Sequence, residues 1–351
     1  GDPGTPNNSM TFMLPSPAGQ RDSFASGNIS DGVKLSTQLL TLADRSLRTP
    51  HRVTQSTHRT GQAHRFLTKS AHMTSHDIEF QFNPRHAVPN VEEHAARMQR
   101  LSAAAREHHQ GLYDLRYGSG PLATLDVFRA QQDNAPVHVF LHGGYWRGRD
   151  KSDFSFLADA LIPQGITLVV MNYDLCPQVE LPTIVDQVEQ GLQWVQAHAA
   201  QWGADPARFS ASGHSAGAHL IAAVLSRHAQ ARTLPPGLPS SALLISGVYD
   251  LEPVLSISVN QEIRLRAEQV APMSPLRLPT CQPVRLVVAV GAAETQGFIS
   301  QSEQFANHCT AQGGNTRYLK LDHSNHYTVM HHLESPQGEL SRVVGQDFQT
   351  P

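Results

Sequence analysis

The sequence predicts an α/β fold, a mainly parallel central sheet with helices on both faces. Three observations carry this expectation. From about residue 112 onward, short β-rich runs alternate with helical stretches, the pattern of strand–helix–strand units. Several runs are continuously apolar, such as LVVM within 166–173 and RLVVAV within 284–291, which suits strands covered on both faces. The longer segments between them repeat apolar residues at helical spacing, as do Ile184, Val188, Leu192 and Val195.

In chain order, the Ala-rich stretch 91–109 lacks Gly and Pro and predicts a helix. Residues 112–118 and 123–130 predict a strand pair joined by the turn GSGPL. A strand over 137–141 runs into a glycine loop. A helix over 154–161, a buried strand over 166–173 and a helix over 183–202 follow. The remainder predicts strand 207–213, helix 216–229, strand 242–250, strand 284–291, helix 300–313 and strand 316–322. Residues 73–351 are expected to form one domain. Residues 1–72 differ: from Arg45 to His72 they carry several Lys and Arg but no Asp or Glu. That bias resembles a transit peptide or translated upstream sequence. Met73 is the expected native start, preceded by a weakly ordered extension.

Composition narrows the function classes. The 351 residues are 40% hydrophobic with a formal net charge of −3, so nothing marks a nucleic-acid footprint or an anionic membrane surface. No apolar run reaches the roughly 20 residues of a spanning helix. Three cysteines, Cys176, Cys281 and Cys309, suit a reducing compartment, and a cytoplasmic location is expected. The 20 histidines include the pairs His72/His76, His108/His109, His323/His326 and His331/His332, but no HExxH. Neither metal nor cofactor is expected. The expected partner is a small-molecule substrate; homodimerisation is left open.

The strongest chemical signal is Gly213-His214-Ser215-Ala216-Gly217, placed between a strand and an apolar helix. A turn that tight lifts the serine hydroxyl out of the sheet at a helix N-terminus. Ser215 needs a base, which in this arrangement arrives last in the chain. His326 is the candidate and His323 its rival. A carboxylate should lie between them after a strand: Glu294 fits, Asp250 competes, and Asp322 is too close to the histidine in sequence. The oxyanion of an acyl-transfer intermediate needs backbone donors. Ala216 supplies one, and the loop His142-Gly143-Gly144-Tyr145-Trp146 the other, from Gly144 or its neighbours Gly143 and Tyr145. His142 is expected to brace that loop. Tyr145, Trp146 and His214 are candidate substrate contacts, with packing an equal alternative for Tyr145 and Trp146.

HGGYW, NYDLCPQVELPTIVDQVEQGLQWV, GHSAGAHL, SGVYDL, GAAETQGFISQSEQF and NHY, in this order, resemble the kynurenine formamidase (arylformamidase) branch of the α/β-hydrolases. NPR at 83–85 and YGSGPLATLDVF also look like that branch. The resemblance spans roughly 78–335 and implies the α/β-hydrolase fold, a triad on Ser215, Glu294 and His326, and no cofactor. Glu294 stands where an Asp is common in such hydrolases. It further implies hydrolysis of N-formyl-L-kynurenine, a step of tryptophan catabolism, through a formyl-Ser215 intermediate. The alternatives are a carboxylesterase for short acyl esters, a carbamate or amide hydrolase, and a non-catalytic binding protein on the same fold.

Overall fold

The computed structural model describes residues 74–347 apart from 232, 281 and 282. The expected extension 1–72 and Cys281 therefore lie outside the described residues. Thr74 opens the described chain as an N-cap. Its hydroxyl accepts the N–H of Asp77, whose carboxylate takes the Thr74 N–H in return, so α1 (Ser75–Phe82) starts with both ends of its first turn satisfied. Asn83 and Pro84 stop it and begin α2 (Pro84–Ala87), and α3 (Val91–His108) follows.

The strands are β1 (Gly111–Arg116), β2 (Thr124–Phe128), β3 (Ala135–Leu141), β4 (Thr167–Met171), β5 (Ala204–His214), β6 (Ser241–Ile245), β7 (Arg285–Gly291) and β8 (Thr316–Leu321). They form one sheet in the order β1-β2-β4-β3-β5-β6-β7-β8. The β1–β2 and β2–β4 pairs are antiparallel; every other pair is parallel. The helices between them are α4 (Leu157–Leu161), α5 (Leu181–His198), α6 (Ala216–Arg227), α7 (Asn260–Ile263), α8 (Ala267–Met273), α9 (Gln296–Ala311) and α10 (Glu339–Arg342).

Alternate side chains of the strands enter two cores. Val137, Val139 and Leu141 of β3 join α5, α6 and α9 in one; Phe140 joins Leu168, Leu243 and the α4 side in the other. A sheet apolar on both faces and covered on both is the expected architecture. Several boundaries differ from the sequence expectation, three of them in ways that shape the site. The helix expected over 154–161 is a 3-10 turn (Lys151–Phe154) followed by the short α4. The helix expected from 300 begins at Gln296. The strand expected to run to 250 stops at Ile245, because Ser246 takes φ 51° and turns the chain away from the ladder.

Candidate active site

The site assembles where parallel strands end. At the end of β5, Ser215 holds φ 54° and ψ −115°, a conformation few non-glycine residues adopt. Packing enforces it. A Cβ on Gly217 would fall 2.1 Å from the Leu141 carbonyl oxygen, and one on Gly213 2.4 Å from the Gly217 carbonyl carbon. The Ser215 N–H is held by the Ile245 carbonyl at 2.8 Å. Ala216 is the first residue of α6, so its N–H has no acceptor within the helix.

After β7, Gly291 and the turn behind it bring Glu294 back across the strand end. The Gly291 N–H donates to Glu294 Oε1 at 2.8 Å, and the Ser246 hydroxyl donates to the same oxygen. Glu294 Oε2 accepts the Nδ1–H of His326 at 2.7 Å. His326 Nε2 accepts the Ser215 hydroxyl at 3.0 Å. All three side chains are buried. His326 is fixed from its backbone too, because His214 Nε2–H donates to its carbonyl at 2.9 Å. Burial drives the His214 pKa well below the usual histidine range, so this brace is a neutral donor.

The loop after β3 forms the facing wall. Gly144, Tyr145 and Trp146 all take positive φ, at 112°, 51° and 55°, a run that turns the backbone sharply toward Ser215. A Cβ on Gly143 would meet the Ser215 Cβ at 3.1 Å. The loop is held from several directions. His142 Nε2–H donates to Asn172 Oδ1 at 3.0 Å, and the Tyr173 hydroxyl donates to the His142 carbonyl at 2.7 Å. The Cys176 N–H donates to the Trp146 carbonyl at 2.7 Å, and the Tyr145 hydroxyl donates to the Phe82 carbonyl. Elbow, histidine and loop enclose a cleft of about 200 Å³.

A family model described as the α/β hydrolase fold matches residues 138–330, more than half of the chain. The protein belongs to the α/β hydrolase fold family. It is a hydrolase of that superfamily, similar to the kynurenine formamidase branch. It is 28% identical to a kynurenine formamidase of Danio rerio, over 78% of this chain and 96% of the relative. The corresponding protein of Drosophila melanogaster is also 28% identical, over 77% and 92%. Among solved structures, a candidate thioesterase of Silicibacter sp. TM1040 superposes with a TM-score of 0.65 at 26% identity, covering 76% of this chain and 98% of that one.

The structure brings together Ser215, Glu294, His326, Gly143, Gly144, Tyr145, Ala216 and His214. It takes Asp250 elsewhere: that carboxylate pairs with Arg277 and its residue caps the turn before Glu252. His323 is exposed, at φ 58°. Trp146 is a correction to the candidate substrate contacts. Of the two roles left open for it, substrate contact and packing, the structure shows packing: it is fully buried, its ring edge-on against His219 at 4.8 Å, because its left-handed backbone turns the side chain under the loop. Cys176 and Cys309 are buried, which pushes their thiols up to about 11 and about 12 and keeps both protonated at neutral pH.

Several cleft residues escaped the sequence reasoning. Asn83, Pro84 and Arg85, noticed only as part of the resemblance, form one wall. Arg147 and Arg149 follow the glycine loop directly, and that adjacency was the available signal. Ser246 had none, since only the turn after β6 carries it to Glu294. No group of three or more His, Cys, Asp or Glu able to hold a metal occurs among the described residues, and no helix there is long and apolar enough to cross a membrane.

Proposed function

We propose that the protein is a serine hydrolase that cleaves an aryl formamide, N-formyl-L-kynurenine foremost, to the amine and formate. The observation that carries this reading is the buried hydrogen-bonded chain from the Ser215 hydroxyl through His326 to Glu294 at the floor of the cleft. The similarity to kynurenine formamidases over nearly their whole length supports the choice of acyl group.

Ser215 Oγ attacks the formyl carbon as its proton passes to His326 Nε2. The imidazolium so formed is held by Glu294, which accepts its Nδ1–H. The N–H groups of Ala216 and Gly144 receive the oxyanion. His326 then gives its proton to the aniline nitrogen, the C–N bond breaks, and the arylamine leaves. Water, deprotonated by His326, attacks the formyl ester and releases formate and free Ser215. An arylamine leaves more readily than an alkylamine, because the ring stabilises the nitrogen lone pair.

Steady-state kinetics on N-formyl-L-kynurenine and p-nitrophenyl acetate test this. Ser215→Ala should lower kcat by about 10⁴-fold or more, and Glu294→Gln by roughly 10²–10⁴-fold. Asp250→Asn should leave both substrates within about twofold, as expected for a surface position. Retained turnover in Ser215→Ala sinks the mechanism. Serine-dependent ester turnover without formamide turnover favours the carboxylesterase alternative, which partial similarity to Esterase LipQ of Mycobacterium tuberculosis, 32% identity over 39% of this chain, keeps in view.

A further inference from the structure

The cleft carries a charge that the acyl-transfer chemistry does not use. Its lining includes Arg85, Arg147 and Arg149 and no aspartate or glutamate. The three are not equivalent. Arg147 is neutralised by Glu262, both of whose carboxylate oxygens lie 2.8 Å from its Nη1. Arg85 pairs with Glu92 at 2.7 Å at the exposed rim. Arg149, only 22% exposed, meets Asp153 at 3.7 Å, beyond hydrogen-bond distance.

The position of Arg149 is built into the glycine loop. A Gly144 Cβ would stand 2.3 Å from the Gly148 carbonyl oxygen and 3.1 Å from Arg149 Cγ, so the loop closes on the bare backbone of Gly144 with the arginine stem beside it. Its own φ of 74° directs the chain there. Its charge is felt by both His214 and Tyr327, and both of these also line the cleft. Met98, Val259 and Met330 supply apolar surface in the same cleft. An aromatic ring can pack there while a polar tail reaches the guanidinium.

We infer that Arg149 is the residue that holds the carboxylate of the substrate's leaving group, and so selects acidic arylamines over neutral ones. This deepens the proposed hydrolase reading and rests on it: the acyl end lies at Ser215, and the acid end selects the substrate. A guanidinium held only by a loose ion pair at 3.7 Å keeps forked donors that match a carboxylate in charge and geometry. A neutral amide in the same place satisfies the donors only partly. Arg85, paired and exposed, contributes less.

The test separates binding from turnover. Isothermal titration calorimetry of the full chain compares 4-(2-aminophenyl)-4-oxobutanoate, an arylamine acid, with its primary amide. The acid should bind wild type about tenfold or more tightly than the amide. Arg149→Gln should abolish that preference, and Arg149→Lys, which keeps the charge without the fork, should retain part of it. Equal affinity of acid and amide for wild type overturns the inference; so does a preference that survives Arg149→Gln, and so does binding of neither compound. Failure of the formamidase reading shows instead in the kinetics of Ser215→Ala, which this measurement does not involve.

Discussion

The two loops that face each other across the cleft are built on different principles. The elbow at Gly213–Gly217 is a local object. Its strain at Ser215 is held by close backbone contacts of the two glycines with Leu141, Gly217 and Ala218, and its motif states those contacts openly. The His142–Trp146 loop is a tertiary object. It bends through three successive positive φ values, and its supports come from Phe82, from the segment after β4 (Asn172, Tyr173 and Cys176) and from His219, all distant from the loop in the chain. The difference teaches that the elbow is set by backbone packing of two glycines against each other and the neighbouring strand ends, whereas the facing wall depends on side chains gathered from several elements.

The most damaging way to break the comparison is Gly217→Ala. With a Cβ 2.1 Å from the Leu141 carbonyl oxygen, strand and helix cannot both stay in place. Activity should fall to background and the melting temperature should drop sharply; a native melt with normal kcat would show the elbow to be less rigid than its contacts require. Next is Trp146→Ala, which empties a fully buried aromatic site and should cost about 3–5 kcal/mol in denaturant unfolding. Trp146→Phe should recover most of this and keep KM, since the ring lies under the loop rather than in the cleft. A selective rise in KM with unchanged stability would return Trp146 to the substrate.

Acid should weaken both loops. Burial lowers the pKa of His214 in the elbow and of His142 and His219 under the facing loop, the last to about 4. These groups are neutral in the folded protein and protonate near 6.5 when unfolded. The unfolded chain therefore binds more protons between those values, and stability is full above about pH 6.5 and declines as pH falls toward 4. Each contributes up to about 1.4 kcal/mol per pH unit in that window. Melting temperatures measured from pH 7 to 4.5 should fall with a slope that His219→Gln makes shallower; a slope unchanged by that variant would mean that His219 titrates normally. The smallest effect is expected from Tyr145→Phe, which removes only the hydroxyl that donates to the Phe82 carbonyl. It should cost about 1 kcal/mol and raise KM modestly, by loosening α1 against the loop.

Legibility followed the range of the forces involved. The strands, the long helices and the Ser–Glu–His order were visible because hydrophobic periodicity and the glycine-framed elbow are written in contiguous residues. Glu294 was preferred to Asp250 from its place after a strand, and the structure pairs it with His326 while Arg277 takes Asp250. Ser246, the second anchor of Glu294, was invisible because it acts through a turn 48 residues earlier in the chain. Trp146 stays undecided between cleft and core in the sequence because its neighbours say nothing about which side of a left-handed turn its ring will take.

By itself, then, the sequence determined the α/β architecture, the glycine-framed elbow that carries Ser215 and the order in which its candidate partners arrive, since these depend on local sterics and on burial patterns along single elements. Only the tertiary structure decided that Trp146 is core, that Asn83, Pro84 and Arg85 wall the cleft, and that Arg149 stands there with Asp153 at 3.7 Å and no hydrogen-bonded acid. Those outcomes depend on which distant surfaces meet, and a charge or a ring acquires its role only from what is packed against it.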